Sequence, residues 1–273
     1  MPLAFHHGQF LEKEKITIQR DNLGFERGFA VFDYCRVRKG CITFLNDHLE
    51  RLMHSQSILN FKDPVKKDEI VNILSQLLTA NNPSDAYYKI VISGRLINDN
   101  IVPVVTVYEE ELINYPEKFY KEGVKLILRE FSKPWPEYKT TFYLASLREF
   151  NRMKDNNAED VLFYFDDAIR ETARCNIFMV KGNAIYTPDK NILKGVTRKH
   201  VIACARKNYF LIESDISVAD LFSADEIFIS STTKNIMPVT KIEDRIIGDG
   251  SVGLITRELL ELFNTYCMNY AAD

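Results

Sequence analysis

Apolar and polar positions follow two different periods in the first part of the chain. Residues 1–20 alternate in short runs around Gly8, the pattern of two short strands and a turn. Residues 30–45 carry a longer alternation broken at Lys39-Gly40 and read as a hairpin. The period then lengthens. Leu49, Leu52, Met53 and Leu59 recur at helical spacing, and Asn46 or Asp47 can cap the start. Pro64 opens a second helical stretch that runs to about residue 80. Two strand-like runs, 87–93 and 102–108, complete a compact α/β lobe ending near residue 112.

Residues 113–123 are polar and contain Pro116 and Gly123, so a domain boundary is expected there. Beyond it, 124–131 reads as a strand, 133–141 as a Pro-rich loop and 142–155 as one amphipathic helix. Two apolar strands, 161–165 and 176–180, flank a polar segment at 166–175. Helical signals return at 197–209, a strand follows at 226–230, and an apolar helix closes the chain at 254–268. Many strands with few helices predict α+β: a small N-terminal α/β domain over 1–112, a linker over 113–123, and a larger C-terminal domain over 124–273 with a barrel-like sheet.

Composition narrows the function classes. Of 273 residues 46% are apolar and 27% charged, and the net charge is −3, so no charge excess calls for nucleic acid or an acidic membrane. Five widely spaced cysteines with no CxxC point to reduced thiols in the cytoplasm. The N-terminus turns charged within about a dozen residues, which argues against a signal peptide. No apolar run approaches the ~18 residues of a spanning helix, so a soluble protein is expected. Residues 248–253 match G-x-G-x-x-G, but the chain ends before a second strand could follow, so they read as a turn ahead of the last helix. The histidines form no HExxH, and no metal is expected.

Four separated segments carry candidate chemistry. Lys139 stands where a loop meets a packed element, where partial desolvation makes an amine nucleophilic. Glu171 lies between two apolar strands, where a carboxylate is costly without a partner. A protonated pyridine ring would supply one. Gly195-Val196-Thr197-Arg198 precedes a helix, whose free N–H groups and dipole suit a phosphate. Ser230-Ser231-Thr232-Thr233 is a hydroxyl-rich turn that could complete a phosphate cup. Each also has an ordinary reading: a solvated lysine, a loop glutamate paired with Arg170 or Arg174, a threonine N-cap, a polar turn.

Taken together and in order, these segments resemble the class IV aminotransferases, the fold-type IV enzymes of pyridoxal 5'-phosphate (PLP). That family includes branched-chain aminotransferases, D-amino acid aminotransferase and aminodeoxychorismate lyase. The resemblance begins at residues 21–32, similar to D-x-G-x-x-x-G-x-x-x-F, and continues through His48-Leu49-Glu50-Arg51-Leu52, similar to H-x-x-R-L. It runs on through Lys139, Glu171 with Asn176-Ile177-Phe178, the Gly195–Arg198 signature and Ser231-Thr232-Thr233 with Pro238-Val239. It implies that Lys139 binds PLP as an imine and shuttles the proton, and that Glu171 pairs with the pyridine nitrogen. Arg51, Val196, Thr197 and Thr232 would hold the phosphate. Arg51 also shares a polar side of its helix with His48 and Ser55, away from the core. The resemblance implies a homodimer whose partner helps close the active site.

The departures bear on specificity. Phe142 stands where many relatives have Asn, while Tyr143 matches the tyrosine that often follows; in similar enzymes a residue near this point approaches the cofactor's phenolic oxygen, and the resemblance implies that Tyr143 is a cofactor-binding residue. Asp33 replaces the usual Glu. The D-specific enzyme traps the substrate carboxylate with Arg-x-His, whereas residues 94–100 hold Arg95 and no histidine, which weakens a D-specific reading. Phe32, Tyr34, Arg36 and Thr233 are candidate substrate-pocket residues. The leading expectation is transamination between an amino acid, L-branched-chain first, and a 2-oxo acid such as 2-oxoglutarate. The alternatives are aminodeoxychorismate lyase, or a non-catalytic binding protein on the same fold.

Overall fold

The computed structural model describes residues 1–270 and divides into two compact units, each built on its own sheet. The first unit holds Met1–Ile113, Tyr138–Phe142 and the end of the last helix from Met268, and the second holds Asn114–Glu137 and Tyr143–Cys267.

The first unit runs β1 (Leu3–His6), β2 (Gln9–Glu12), α1 (Leu23–Arg27), β3 (Ala30–Arg38), β4 (Cys41–Ile42), α2 (Leu45–Ser57), α3 (Lys67–Asn81), β5 (Asp85–Ile97) and β6 (Asn100–Glu110). Its strands form one antiparallel sheet in the order β2-β1-β6-β5-β3-β4. Alternation on β3 sorts its side chains to two faces. Val31, Cys35 and Val37 join one core with Leu49 and Leu52 of α2 and with Ile70, Leu74 and Leu77 of α3. Phe32, Tyr34 and Arg36 alternate with them and stay half-buried. The start of α2 differs from expectation. Its N-cap is Phe44 in the left-handed region (φ 59), with no side-chain cap from Asn46 or Asp47. Burial of the Phe44 ring sets the entry of the chain there. Helix α3 starts at Lys67, past Pro64.

The second unit runs α4 (Glu117–Lys121), β7 (Val124–Glu130), α5 (Leu144–Arg148), α6 (Phe150–Asp155), β8 (Asp160–Phe165), β9 (Ala168–Thr172), β10 (Asn176–Lys181), β11 (Ala184–Thr187), α7 (Val196–Ala205), β12 (Phe210–Glu213), α8 (Val218–Phe222), β13 (Glu226–Ser231), β14 (Asn235–Ile242), β15 (Arg245–Ile246) and α9 (Leu254–Tyr270). The sheet order is β12-β11-β10-β13-β14-β7-β8-β9, with β15 on β14. The β11–β12, β14–β7 and β7–β8 pairs are parallel and the others antiparallel.

Two expectations are corrected here. The segment 166–175 is no mere polar connection: Asp166 and Asp167, both at positive φ, make a two-residue hairpin turn into β9, which places Glu171 on a strand. Residues 142–155 are not one amphipathic helix but α5 and α6, broken at Glu149. Glu149 is buried and pairs with Arg129 and Arg152, while Leu144, Leu147 and Phe150 are exposed. No helix among the described residues is long and apolar enough to cross a membrane.

The glycine-rich 248–253 stretch forms the turn ahead of α9, with Gly248 and Gly250 at positive φ. The Glu226 carboxylate accepts from the Ile255 and Thr256 N–H groups at 3.1 and 2.7 Å and so caps α9. A Cβ on Gly253 would lie 1.8 Å from Glu226 Cδ. Gly253→Ala is therefore expected to displace the cap, costing about 1 kcal/mol and lowering Tm by about 2–4 °C. Thermal unfolding followed by circular dichroism should show Glu226→Ala falling by a similar amount and the double variant falling no further than either single one.

Candidate active site

In the first unit the site is organised around a buried acid. Asp33 projects from β3 toward α2 with no exposure to water. Its Oδ2 accepts from Arg51 Nε at 2.8 Å, its Oδ1 accepts from Arg51 Nη2 at 2.8 Å, and His48 Nδ1 lies 2.7 Å from Oδ1. Burial pushes the Asp33 carboxyl up, but Arg51 and His48 outweigh it and hold the group well below the usual carboxylate range. His48 is lowered, chiefly by burial and further by the Arg51 and Lys139 charges, against the opposing pull of Asp33. Asp33, Cys35 and His48 bring ligand atoms within 4.8 Å of one another, and the cation this group holds is the Arg51 guanidinium.

One turn along α2 the same stripe anchors the lysine segment. The Lys139 N–H donates to Ser55 Oγ at 3.0 Å, and the His54 ring stacks on Tyr138 with centroids 4.8 Å apart. The Phe32 N–H donates to the Lys139 carbonyl at 3.0 Å, and the Thr141 N–H donates to the Ala30 carbonyl at 3.1 Å. Residues 138–142 thus lie along β3, and Lys139 Nζ sits 4.6 Å from the centre of the Phe32 ring. The side of α2 carrying His48, Arg51 and Ser55 was expected to face away from the core. It is an internal wall instead, with His48 and Ser55 buried.

On the face of β3 that carries Phe32, Tyr34 donates to Glu110 at 2.8 Å, and Lys89 lies over the Phe32 and Tyr108 rings. Arg36 is held by Asp85 through two hydrogen bonds, at 3.1 and 2.9 Å, and also donates to Tyr87. Lys89, Tyr108 and Glu110 were not foreseen. Strict alternation across the β3-β5-β6 register was the signal that could have found them. Arg95 donates to Asp21 at 2.8 Å.

The second unit supplies an acid and an anion cradle. Glu171 is 5% exposed, and three donors reach it: Lys133 Nζ at 2.8 Å on Oε1, and the Leu193 N–H at 3.1 Å and Asn176 Nδ2 at 3.5 Å on Oε2. The acid is therefore paired with Lys133, and neither Arg170 nor Arg174 holds it. Burial, then the Glu171 and Asp160 charges, push the Tyr143 phenol up, so it keeps its proton.

The N-terminus of α7 has Gly195 as N-cap, with no side chain capping it, and Val196 and Thr197 are its first buried residues. A Cβ at Gly195 would lie 2.1 Å from Asn176 Oδ1, so this glycine admits the Asn176 amide. Ser230, buried across from Asn176 in the sheet, has a hydroxyl with no hydrogen-bond partner. In the adjoining turn, Ser231 Oγ accepts from the Lys234 N–H at 3.2 Å, and Thr233 Oγ1 lies 3.5 Å from the Tyr115 hydroxyl. Lys234 is buried, donating to Tyr115 at 3.0 Å and paired with Glu159 at 3.1 Å. An uncapped helix N-terminus, an unpartnered buried hydroxyl and a threonine turn suit a phosphate ester, and a buried, oriented carboxylate suits a protonated ring nitrogen. The residues present therefore fit PLP.

A small antiparallel sheet followed by a curled half-barrel sheet is the α+β fold of the fold-type IV PLP enzymes. A branched-chain amino acid aminotransferase of T.th., solved with pyridoxamine 5'-phosphate, superposes with a TM-score of 0.90 over 98% of this chain and 95% of that one, at 21% identity. Residues 30–242 match the family Amino-transferase class IV, and the chain belongs to it: it is an enzyme, a PLP-dependent transaminase. Over 94% of this chain and 93% of the relative, it is 30% identical to a putative branched-chain-amino-acid aminotransferase of Methanocaldococcus jannaschii. Over the same shares it is 28% identical to a D-alanine aminotransferase of Listeria monocytogenes.

The Asp33 cluster sets an acid response. As pH falls below about 6.5, the unfolded chain binds a proton at His48 that the folded chain resists, so stability falls. Asp33 contributes fully at neutral pH, and its share is lost as pH drops below about 4, where the unfolded carboxyl protonates first. Urea unfolding from pH 7 to 5 should show a smaller decline for His48→Gln than for wild type. Asp33→Asn should cost about 3–5 kcal/mol by removing the anion that the Arg51 guanidinium is packed against.

Proposed function

We propose that the chain transaminates L-amino acids, branched-chain substrates first, with 2-oxoglutarate as acceptor. The observation that carries the stereochemical choice is Arg95. It is the arginine in the stretch where D-specific enzymes place an Arg-x-His trap, yet here it is engaged by Asp21, and no histidine follows in residues 96–100. The half-buried Phe32 and Tyr34 offer an apolar wall to a branched side chain, with Arg36 and Thr233 as further substrate contacts.

In this reading Lys139 is the catalytic residue. Its amine would hold the cofactor, and it is placed to move the proton at the substrate's α-carbon. Bound PLP supplies the electron sink for that carbon. Glu171 keeps the ring nitrogen protonated, and Tyr143, held as a neutral phenol, donates toward the cofactor's oxygen. Arg51, the Val196 and Thr197 N–H groups and the Thr232 hydroxyl bind the phosphate. Asp33 orients Arg51, and Ser55 fixes the backbone of Lys139. The exposed Leu144, Leu147 and Phe150 are apolar surface that a homodimer would cover.

The test is a visible absorption spectrum of the purified protein beside Lys139→Ala. Wild type should show a band that borohydride bleaches, and L-leucine, L-isoleucine or L-valine should discharge it while D-alanine does not. Lys139→Ala should lose the borohydride-sensitive band and about a thousandfold or more of the turnover. Discharge by D-alanine alone would reverse the stereochemical assignment.

A further inference from the structure

Lys133 is the strongest group that the proposed chemistry leaves unused. It lies in the loop after β7, between Ser132 and Pro134, six residues before Lys139. Its ammonium makes three contacts: Glu171 Oε1 at 2.8 Å, the Thr172 carbonyl at 3.1 Å, and the face of Phe163 at 5.5 Å. Phe163 is buried, and Lys133 itself is 22% exposed. A long, flexible side chain held at three points loses rotamer freedom, and what it gains is a charge-assisted bond to a nearly dry carboxylate. The remaining donors to Glu171, Leu193 N–H and Asn176, are neutral and reach the other oxygen.

We infer that Lys133 is a positioning residue and built-in counter-ion of Glu171: it fixes the carboxylate's orientation and sets, through it, how strongly the cofactor ring is held and polarised. The inference rests on the reading that Glu171 faces the ring nitrogen. Glu171 by itself would present a full negative charge to the ring. Paired with Lys133 it presents a near-neutral dipole whose free lone pairs still accept a proton donor. The titratable group that feels the Glu171 charge is Tyr143 at the start of α5, which also faces Asp160 on β8 and Arg174 with Cys175 after β9. Arg174 lies 3.8 Å from Asp160 and Lys234 pairs with Glu159, so among the described residues Lys133 is the cation paired with Glu171.

The experiment is a pH titration of the visible band of the PLP-loaded protein, with the PLP dissociation constant measured alongside, for wild type, Lys133→Met, Lys133→Arg and Glu171→Gln. Methionine keeps an unbranched stem and removes the ammonium, and melting curves confirm folding. Removing a positive charge should raise the titration midpoint by about one pH unit in Lys133→Met, and loss of orientation should weaken PLP about tenfold. Lys133→Arg should restore both. Glu171→Gln should move the midpoint the opposite way. If Lys133→Met titrates like wild type while Glu171→Gln shifts, Lys133 is packing only and the inference is overturned, with the reading of Glu171 intact. If Glu171→Gln also leaves the band and its midpoint unchanged, that reading fails and the inference falls with it.

Discussion

A carboxylate without water needs cations and donors close by, and Asp33 draws them from α2. The bidentate bond from Arg51 and the contact with His48 pin one side of the helix to β3. Because positions three, four and seven apart share a helix face, pinning His48 and Arg51 also determines where Ser55 points. Ser55 in turn holds the Lys139 backbone. The placement of Lys139 on the Phe32 ring therefore depends on a charge network that no part of the lysine segment contains. Replacing that network with apolar residues could give an equally stable core, but it would give up the one arginine of α2 and the hydroxyl that holds Lys139.

The second unit solves a similar problem with different means. Glu171 stands on a short strand created by the Asp166-Asp167 turn, and its oxygens are shared between an ammonium, a backbone N–H and an amide. Asn176 links this acid to the start of α7, since its amide also donates to the Leu193 carbonyl and fills the space where a Cβ on Gly195 would be. Acid and helix N-terminus are coupled through one side chain. A substitution at Gly195 would act on Glu171 as much as on any anion bound at the helix.

Much of this was legible in the chain. Periodicity located β3, α2, α3, β5 and β6, and the order of Lys139, Glu171, Gly195–Arg198 and Ser231–Thr233 identified the family. The Asp166-Asp167 turn and the Phe44 cap escaped reading as local backbone conformations, and most of the other missed features turn on contacts between distant residues. Polar residues on α2 look solvated until β3 supplies an acid against them. Residues 142–155 have helical spacing, yet a buried Glu149 paired with Arg129 breaks the helix. Lys133 and Lys234 are ordinary surface residues by type, and it is the folded chain that pairs the half-buried Lys133 with Glu171 and the buried Lys234 with Glu159 and Tyr115.

By itself, then, the sequence determined the α+β class, the family and the residue types that bear the chemistry, because local periodicity and short motifs are written in neighbouring positions. The tertiary structure alone decided which charges meet: Asp33 with Arg51, Arg36 with Asp85, Arg95 with Asp21, Lys133 with Glu171. Burial makes the pairings of Asp33 and Glu171 obligatory, and burial is a property of the folded chain; the more exposed Arg36–Asp85 and Arg95–Asp21 pairs are set by the strands and turns that bring them side by side.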